Sequence, residues 1–167
     1  HFDYKNMAHF NIKVRYEDFD DDYIIYDSIH LMINSPNYDD IIWMDFSDND
    51  IYFLPILPNK LIELYCCNCK LSKINKLPDT ILFLNCSYNN ITSILNLPPL
   101  LRSLGCAYNN MCSLPKLPSR LESIWCNDND LVYINSLPNT MEFLHCHNNK
   151  RMNRYPLMPY NIINFKF

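Results

Sequence analysis

Glycine is almost missing from this sequence: Gly105 is the only one in 167 residues. That excludes glycine-rich phosphate loops and the dinucleotide-binding fingerprint, which need several glycines so that backbone can approach phosphate closely. Long apolar runs are missing too, so no membrane-spanning helix and no secretory signal is legible in the residues present. A charge excess of the kind that binds phosphate is also lacking. The chain has 14 Lys+Arg against 18 Asp+Glu and no dense basic stretch, which argues against nucleic acid as a partner.

What is present is apolar and unevenly charged. Hydrophobic residues make up 49 % and charged residues 19 %, the balance of a folded domain rather than a disordered tail. Residues 1–40 hold nine acids (Asp3, Glu17, Asp18, Asp20, Asp21, Asp22, Asp27, Asp39, Asp40) against Lys5, Lys13 and Arg15, while the remainder holds nine acids and 11 bases.

The organising feature is a 20-residue repeat with copies starting at Ile41, Leu61, Ile81, Leu101, Leu121 and Met141. Five copies end on the same pair: Leu57-Pro58, Leu77-Pro78, Leu97-Pro98, Leu117-Pro118 and Leu137-Pro138. Position four holds Met44, Leu64, Leu84, Leu104, Ile124 and Leu144, and position six holds Phe46, Cys66, Cys86, Cys106, Cys126 and Cys146. Position nine holds Asn49, Cys69, Asn89, Asn109, Asn129 and Asn149. Position 11 holds Ile51, Leu71, Ile91, Met111 and Leu131. In the sixth copy, Met152, Tyr155 and Met158-Pro159 fit after a one-residue insertion near Lys150–Arg151. A partial seventh copy then places Ile162, Phe165 and Phe167 at positions one, four and six.

This spacing dictates a solenoid. Positions four and six share one face of a short strand, and one rung cannot bury that face alone. Stacked rungs can, and they form a parallel sheet with a continuous core. Asn at position nine can donate to and accept from backbone groups that the turn leaves unpaired, which makes the stacked Asn a ladder. Twenty residues leave no room for a return helix, so the back should be extended or polyproline-like, with prolines fixing φ. A thin back and a wider strand side give a curved rod, roughly 30 Å long at the inter-strand spacing. The expected fold is therefore a solenoid with a curved parallel sheet on the concave side and little helix.

These columns resemble leucine-rich repeats of the shortest, bacterial type, as in the effectors typified by Yersinia outer protein M and the IpaH-type ligases. Similar arrays occur in giant viruses of amoebae, and the abundance of Asn, Ile, Tyr and Lys suits an AT-rich genome. The resemblance covers about residues 41–167. It implies protein binding, with effector activity and a cytoplasmic setting, the host cytosol for an effector or viral protein. The chain departs from the pattern in having Cys rather than Val or Leu at position six and in having Cys69 in the Asn column, and no ligase domain is legible in the residues present.

Residues 1–40 are expected to form an N-terminal cap over the first rung, and residues 41–167 the repeats. Phe10, Ile12, Val14 and Tyr16 alternate as a strand does. Residues 21–35 allow two readings. One is a helix with Ile25, Ile29, Met32 and Ile33 on one face and Asp residues at its start. The other is a decayed repeat with Ile24, Tyr26 and Leu31 at positions four, six and 11, closed by Pro36. Acidic charge on the cap should discourage end-to-end association, so a monomer is expected. At the far end Phe165 and Phe167 should lie bare.

The position-six cysteines (Cys66, Cys86, Cys106, Cys126, Cys146) read as small buried hydrophobes. Neighbouring strands lie about 4.8 Å apart, whereas disulfide Cβ atoms need roughly 3.5–4.5 Å, so the ladder should stay reduced, which favours a reducing compartment. A metal site at Cys66, Cys67, Cys69 and Cys86 is the competing reading, but Cys66 should point inward and Cys67 outward, and repeated Cys-x-x-Cys knuckles are absent. His145 and His147, both facing out, read as an exposed polar pair rather than metal ligands. No metal or cofactor is expected. Cys126-Asn127-Asp128 matches the short Cys-x-Asp of effector ligases by chance, since a ladder cysteine has no electropositive neighbour to lower its pKa. No paired-carboxylate column, nucleophile elbow or zinc-protease motif is present, so the chain does not read as an enzyme. Two formal glycosylation sequons, Asn85-Cys86-Ser87 and Asn90-Ile91-Thr92, are discounted on the cytosolic reading.

Positions three, five, seven and eight should face outward from the concave sheet. They carry Trp43, Phe83 and Phe143; Tyr65, Trp125 and His145; Cys67 and His147; and Tyr88 and Tyr108. Large aromatics kept in water mark interfaces. Gly105 mid-face should admit close backbone approach, and Asp45, Asp48, Glu63 and Asp128 form a polar rim. The alternative is that the aromatics only stack along the sheet for stability. The leading expectation is a non-catalytic module that binds a protein on this face, with Trp43, Tyr65 and Trp125 central. Its rivals are the recognition arm of a ubiquitin-ligase effector without its catalytic domain, and a structural or virion component.

Overall fold

The structure, a computed structural model, describes residues 10–17 and 22–167. The acidic-segment residues Asp3, Lys5, Asp18, Asp20 and Asp21 lie outside the described residues.

Seven short strands stack in parallel: β3 (Ile41–Asp45), β4 (Glu63–Tyr65), β6 (Phe83–Asn85), β8 (Ser103–Gly105), β9 (Ser123–Trp125), β10 (Phe143–His145) and β11 (Asn164–Lys166). Each residue pairs with the one 20 positions on, as in Trp43↔Glu63 and Phe83↔Ser103. At the last step the offset grows by one, Phe143↔Asn164, which places the extra residue in the sixth rung. On the back, β5 (Lys73–Ile74) and β7 (Ser93–Ile94) form a small parallel pair, and Tyr133 bridges Arg154 in the same column. Elsewhere the back is extended. Each Leu-Pro ends it in a turn, with the Pro58, Pro78, Pro98, Pro118 and Pro138 carbonyls accepting from the amide three residues on. The chain is a parallel-strand solenoid with almost no helix.

Every column has a physical role. Positions one and four are buried from Ile41 and Met44 to Met141 and Leu144, and Phe46, Cys66, Cys86, Cys106, Cys126 and Cys146 lie behind them in the core. Asn89 shows what position nine does. Its Nδ2 donates to the carbonyls of Cys66 (2.8 Å), Cys86 (3.0 Å) and Ser87 (3.1 Å), and its Oδ1 accepts from Leu71 N–H (3.0 Å). One side chain thus ties its own turn to the rung before it. Asn109 and Asn129 repeat the pattern.

The N-terminal segment holds the expected strand and a shortened form of the expected helix, in an arrangement that neither reading of residues 21–35 gives in full. β1 (Ile12–Tyr16) pairs antiparallel with β3, and β2 (Ile24–Tyr26) pairs antiparallel with β1 at the sheet edge. A short helix, α1 (Ile29–Ile33), follows, then a 3-10 turn at Tyr38–Asp40. The expected helix is therefore confined to five residues, with Ile29 and Met32 buried, no acid in its first turn and Ser28 at its N-cap. Ile25 lies in a strand and is exposed, not on a helix face. Nor is the segment a decayed rung: β2 does not stack on β3, and Leu31 is solvent-exposed. The physical reason is that β1 already occupies the edge of β3, leaving β2 only the outside of β1. Asn11 takes the place of a preceding rung for Asn49, donating its N–H to Oδ1 (2.9 Å) and accepting from Nδ2 (3.3 Å).

Candidate functional site

The repeat aims alternate strand residues at opposite faces, so with positions four and six inside, positions three and five must point out. The turn after each strand then places position eight beside them. All six position-eight residues (Asp48, Asn68, Tyr88, Tyr108, Asp128 and Asn148) have positive φ, between 48 and 60°. Asp and Asn tolerate this left-handed backbone because their short polar side chains bond locally, whereas a bulky ring does not. The column pairs off along the rod. Asn68 Nδ2 donates to Asp48 Oδ1 (2.8 Å), and Asn148 Nδ2 donates to Asp128 Oδ1 (2.9 Å). Between them Tyr88 and Tyr108 stack at 4.3 Å with planes 8° apart. Tyr88 is 54 % and Tyr108 44 % exposed.

Other sequence-marked residues fall into two groups. At the capped end, Trp43 is half-buried, with the Arg15 guanidinium 4.4 Å from its ring centre and Tyr65 at 5.8 Å. Tyr65 donates its hydroxyl to Glu63 (3.0 Å); burial first, and then the Glu63 carboxylate, raise its pKa. Asp45 accepts from the Ser47 amide (2.8 Å). At the far end Trp125 meets His145 edge-on at 6.2 Å, with His147 beyond and Phe143 half-buried on the same strand as His145. His147 lies 4.0 Å from Asp128. Hydrogen bonds from Asn127 and Asn148, with His147 close by, hold the Asp128 carboxyl below the usual carboxylate range. Phe83, Tyr88, Tyr108 and Trp125 form the exposed middle.

Two expectations about this face are corrected. Position seven is not a wall of the face but its floor: Ser87, Ala107 and Asn127 are buried, and Cys67 and His147 only half-exposed. Gly105 does not offer open backbone. It is buried, and a Cβ there would lie 2.5 Å from Asn85 Oδ1. That oxygen accepts from Ser87 N–H (3.2 Å) and Ser87 Oγ (2.8 Å), so the missing side chain makes room for Asn85. What results is a shallow depression of about 400 Å³, walled by the tyrosine pair and Trp125 and floored by Asn85, Ser87, Gly105 and Asn127, with no charged group in its lining.

Sequence reasoning missed Asn85, Ser87 and Asn127 because short polar residues at strand positions give no periodic signal. It missed Arg15 because the antiparallel cap lies outside the repeat. The left-handed column was readable from Asp48, Asn68, Asp128 and Asn148, a set of turn-forming residues in register.

The cysteines offer no electropositive setting. Burial pushes the Cys66, Cys86, Cys106 and Cys126 thiols well up, and Cys69 and Cys146 up to about 11. Cys69 Sγ donates to the Phe46 carbonyl at 3.2 Å. Among the described residues no group of three or more His, Cys, Asp or Glu could hold a metal ion. No described helix is long and apolar enough to cross a membrane.

No family model and no curated protein matches the chain. Solved structures do. YopM from Yersinia enterocolitica WA-314 is similar over 76 % of this chain and 33 % of its own, at 27 % identity and a TM-score of 0.69. YopM from Yersinia pestis, described as a leucine-rich effector protein, is similar over 73 % of this chain and 34 % of its own, at 32 % identity and a TM-score of 0.71. A Shigella effector LRR domain matches 63 % of this chain and 48 % of its own, at 27 % identity and a TM-score of 0.62. The chain thus spans about a third of the YopM chains and about half of the Shigella one. Repeat length, strand register and these likenesses agree that the chain is a leucine-rich-repeat protein of the bacterial type.

Proposed function

We propose that the open strand face binds a protein partner, with Phe83, Tyr88, Tyr108 and Trp125 as its centre, and that the chain is not itself a catalyst. The general role, a protein-interaction module, follows from the leucine-rich-repeat fold it shares with effector domains. The observation that carries the finer reading is the tyrosine pair. A left-handed backbone costs a non-glycine residue roughly 1–2 kcal/mol, and the other four rungs avoid most of that with Asp or Asn. Stacking of two aromatics returns about 0.5–1.5 kcal/mol, so two strained tyrosines cost the fold more than their stacking gives back. Exposed rings held at such a cost fit a contact surface, where aromatics supply large area at little side-chain entropy. Trp43 and Tyr65 move from the centre to the margin, because Arg15 and Glu63 already cover them. The buried thiols fit a module working in a reducing compartment, the cytosol of a host cell on the effector likeness. That likeness also admits the role of recognition arm in a larger effector ligase.

The test compares wild type with Tyr88→Asn/Tyr108→Asn. Affinity capture from the native host should lose its partner with the variant, while thermal unfolding shows no loss of stability. A variant that unfolds more easily yet recovers the same partner would assign the rings to stacking alone.

A further inference from the structure

The capped end of the open face holds an arrangement that the chain completes by itself. Arg15 comes from β1, which pairs with β3, and its guanidinium lies 4.4 Å from the centre of the Trp43 ring. Tyr65 flanks that ring at 5.8 Å, and the Glu63 carboxylate accepts from the Tyr65 hydroxyl. Asp45 also lies within electrostatic reach of Tyr65, as does Arg15. A planar cation is thus held over an aromatic pair with carboxylates beside it. The negative face of a ring and the spread charge of a guanidinium favour this pairing.

The same parts recur further along the rod without the cation. Trp125 and the stacked Tyr88 and Tyr108 wall the depression, and Asp128 follows Tyr108 in the position-eight column, within electrostatic reach of its hydroxyl. Asp128 accepts from Asn127 (2.7 Å) and Asn148 (2.9 Å), both neutral amides, and His147 at 4.0 Å is beyond hydrogen-bond length. The bond from Asn127 first, then that from Asn148, keeps the carboxyl below the usual carboxylate range, so it is charged at neutral pH. Asn127, in the floor, gives its Nδ2 to Asp128 and keeps an acceptor oxygen. Positions three, five, seven and eight of the six rungs carry Asp45, Asp48, Glu63 and Asp128 and no Lys or Arg. Arg15, the cation that lies over a ring of this face, is at the capped end.

We infer that the depression takes one arginine side chain of a protein partner, its guanidinium against Trp125 and the tyrosine pair and donating to the Asp128 carboxylate. This rests on the partner-binding reading and adds to it the chemistry of the central contact. A face with acids and no base of its own favours a basic partner and steers it inward. Arginine suits the site better than lysine, because a guanidinium is planar, weakly hydrated and able to stack on a ring while donating sideways, whereas an ammonium is a compact, strongly hydrated point charge.

The probe is N-acetyl-arginine amide, compared at matched ionic strength with the citrulline amide, which has the same shape and no charge. Trp43 and Trp125 give separate indole N–H signals in nuclear magnetic resonance, assigned with Trp43→Phe and Trp125→Phe. The Trp125 signal should shift saturably with the arginine amide while that of Trp43 stays, since Arg15 already covers it. The citrulline amide should bind about tenfold or more weakly, and Asp128→Asn should weaken the arginine response by a similar factor. Asn68 and Asn148 hold the same left-handed position in their own rungs, so Asp128→Asn keeps the fold, which thermal unfolding checks. A Trp125 signal unmoved at about 50 mM arginine amide, or equal binding of the two amides, overturns the inference. Affinity capture separates it from the broader reading. A partner lost by Tyr88→Asn/Tyr108→Asn but held at full affinity by Asp128→Asn overturns arginine as the contact and leaves protein binding in place. A partner kept by both variants overturns both.

Discussion

At the scale of single residues, the Asn column is the strongest constraint. Asn109 Nδ2 donates to the carbonyls of Cys86, Cys106 and Ala107, and its Oδ1 accepts from Ile91 N–H (2.9 Å). Asn109→Ala would leave buried backbone groups without partners, so urea unfolding should show a loss of about 3 kcal/mol. Cys69 is the natural contrast. It donates weakly to two carbonyls and offers Ile51 N–H no amide oxygen, so that amide turns to the Asn49 carbonyl instead (2.8 Å). Cys69→Asn should raise stability by about 1 kcal/mol in the same measurement. Thiol labelling of the native chain should be fast at exposed Cys112 and slow at Cys66, Cys86, Cys106 and Cys126; equal rates would mean that the column is open.

At the scale of elements, the stacked thiols make the sheet sensitive to base. In the folded chain the Cys66, Cys86 and Cys106 thiols are held well above their ordinary value of 9 by burial. Below that value both folded and unfolded chains are protonated, and the contribution to stability is complete. Above it the unfolded chain sheds protons that the folded chain keeps, so stability falls as pH rises, by up to about 1.4 kcal/mol per pH unit for each thiol. Denaturant midpoints measured upward from neutral pH should therefore drop steeply above pH about 9, and replacing Cys86, Cys106 and Cys126 by Val should flatten the drop. Much of this level was legible in the sequence. A strict 20-residue offset fixes register, and strand alternation fixes which columns are inside. The cap was legible in its first strand and in part of its helix but not in β2: Ile24 and Tyr26 alternate equally well in a rung and in an antiparallel edge strand, and only the neighbour decides. The face was legible in part. Aromatics announce themselves at Phe83 and Trp125, but that Arg15 would lie over Trp43, or that Asn85 would fill the space beside Gly105, depends on contacts between strands distant in sequence.

At the scale of the whole molecule, each rung touches only its neighbours, so stability is close to a sum over adjacent pairs. Exposed ion pairs such as Asp50–Lys70 and Arg102–Glu122 repeat the same offset but contribute little, being screened by solvent. The uniform step means that a stretch of chain can be cut out and the flanks rejoined in phase. Excising residues 61–80 would bring Asn89 beside Phe46 and Ile51, restoring the amide contacts that Cys69 lacks; small-angle scattering should show a folded rod shorter by about 4.8 Å. Excising residues 101–120 is a different matter. Trp125 would then stand where Gly105 stood, and its Cβ would push Asn85 off Ser87. Gly105 therefore acts as a key between two particular modules: an array free to lengthen or shorten at other joints keeps a fixed order at that one.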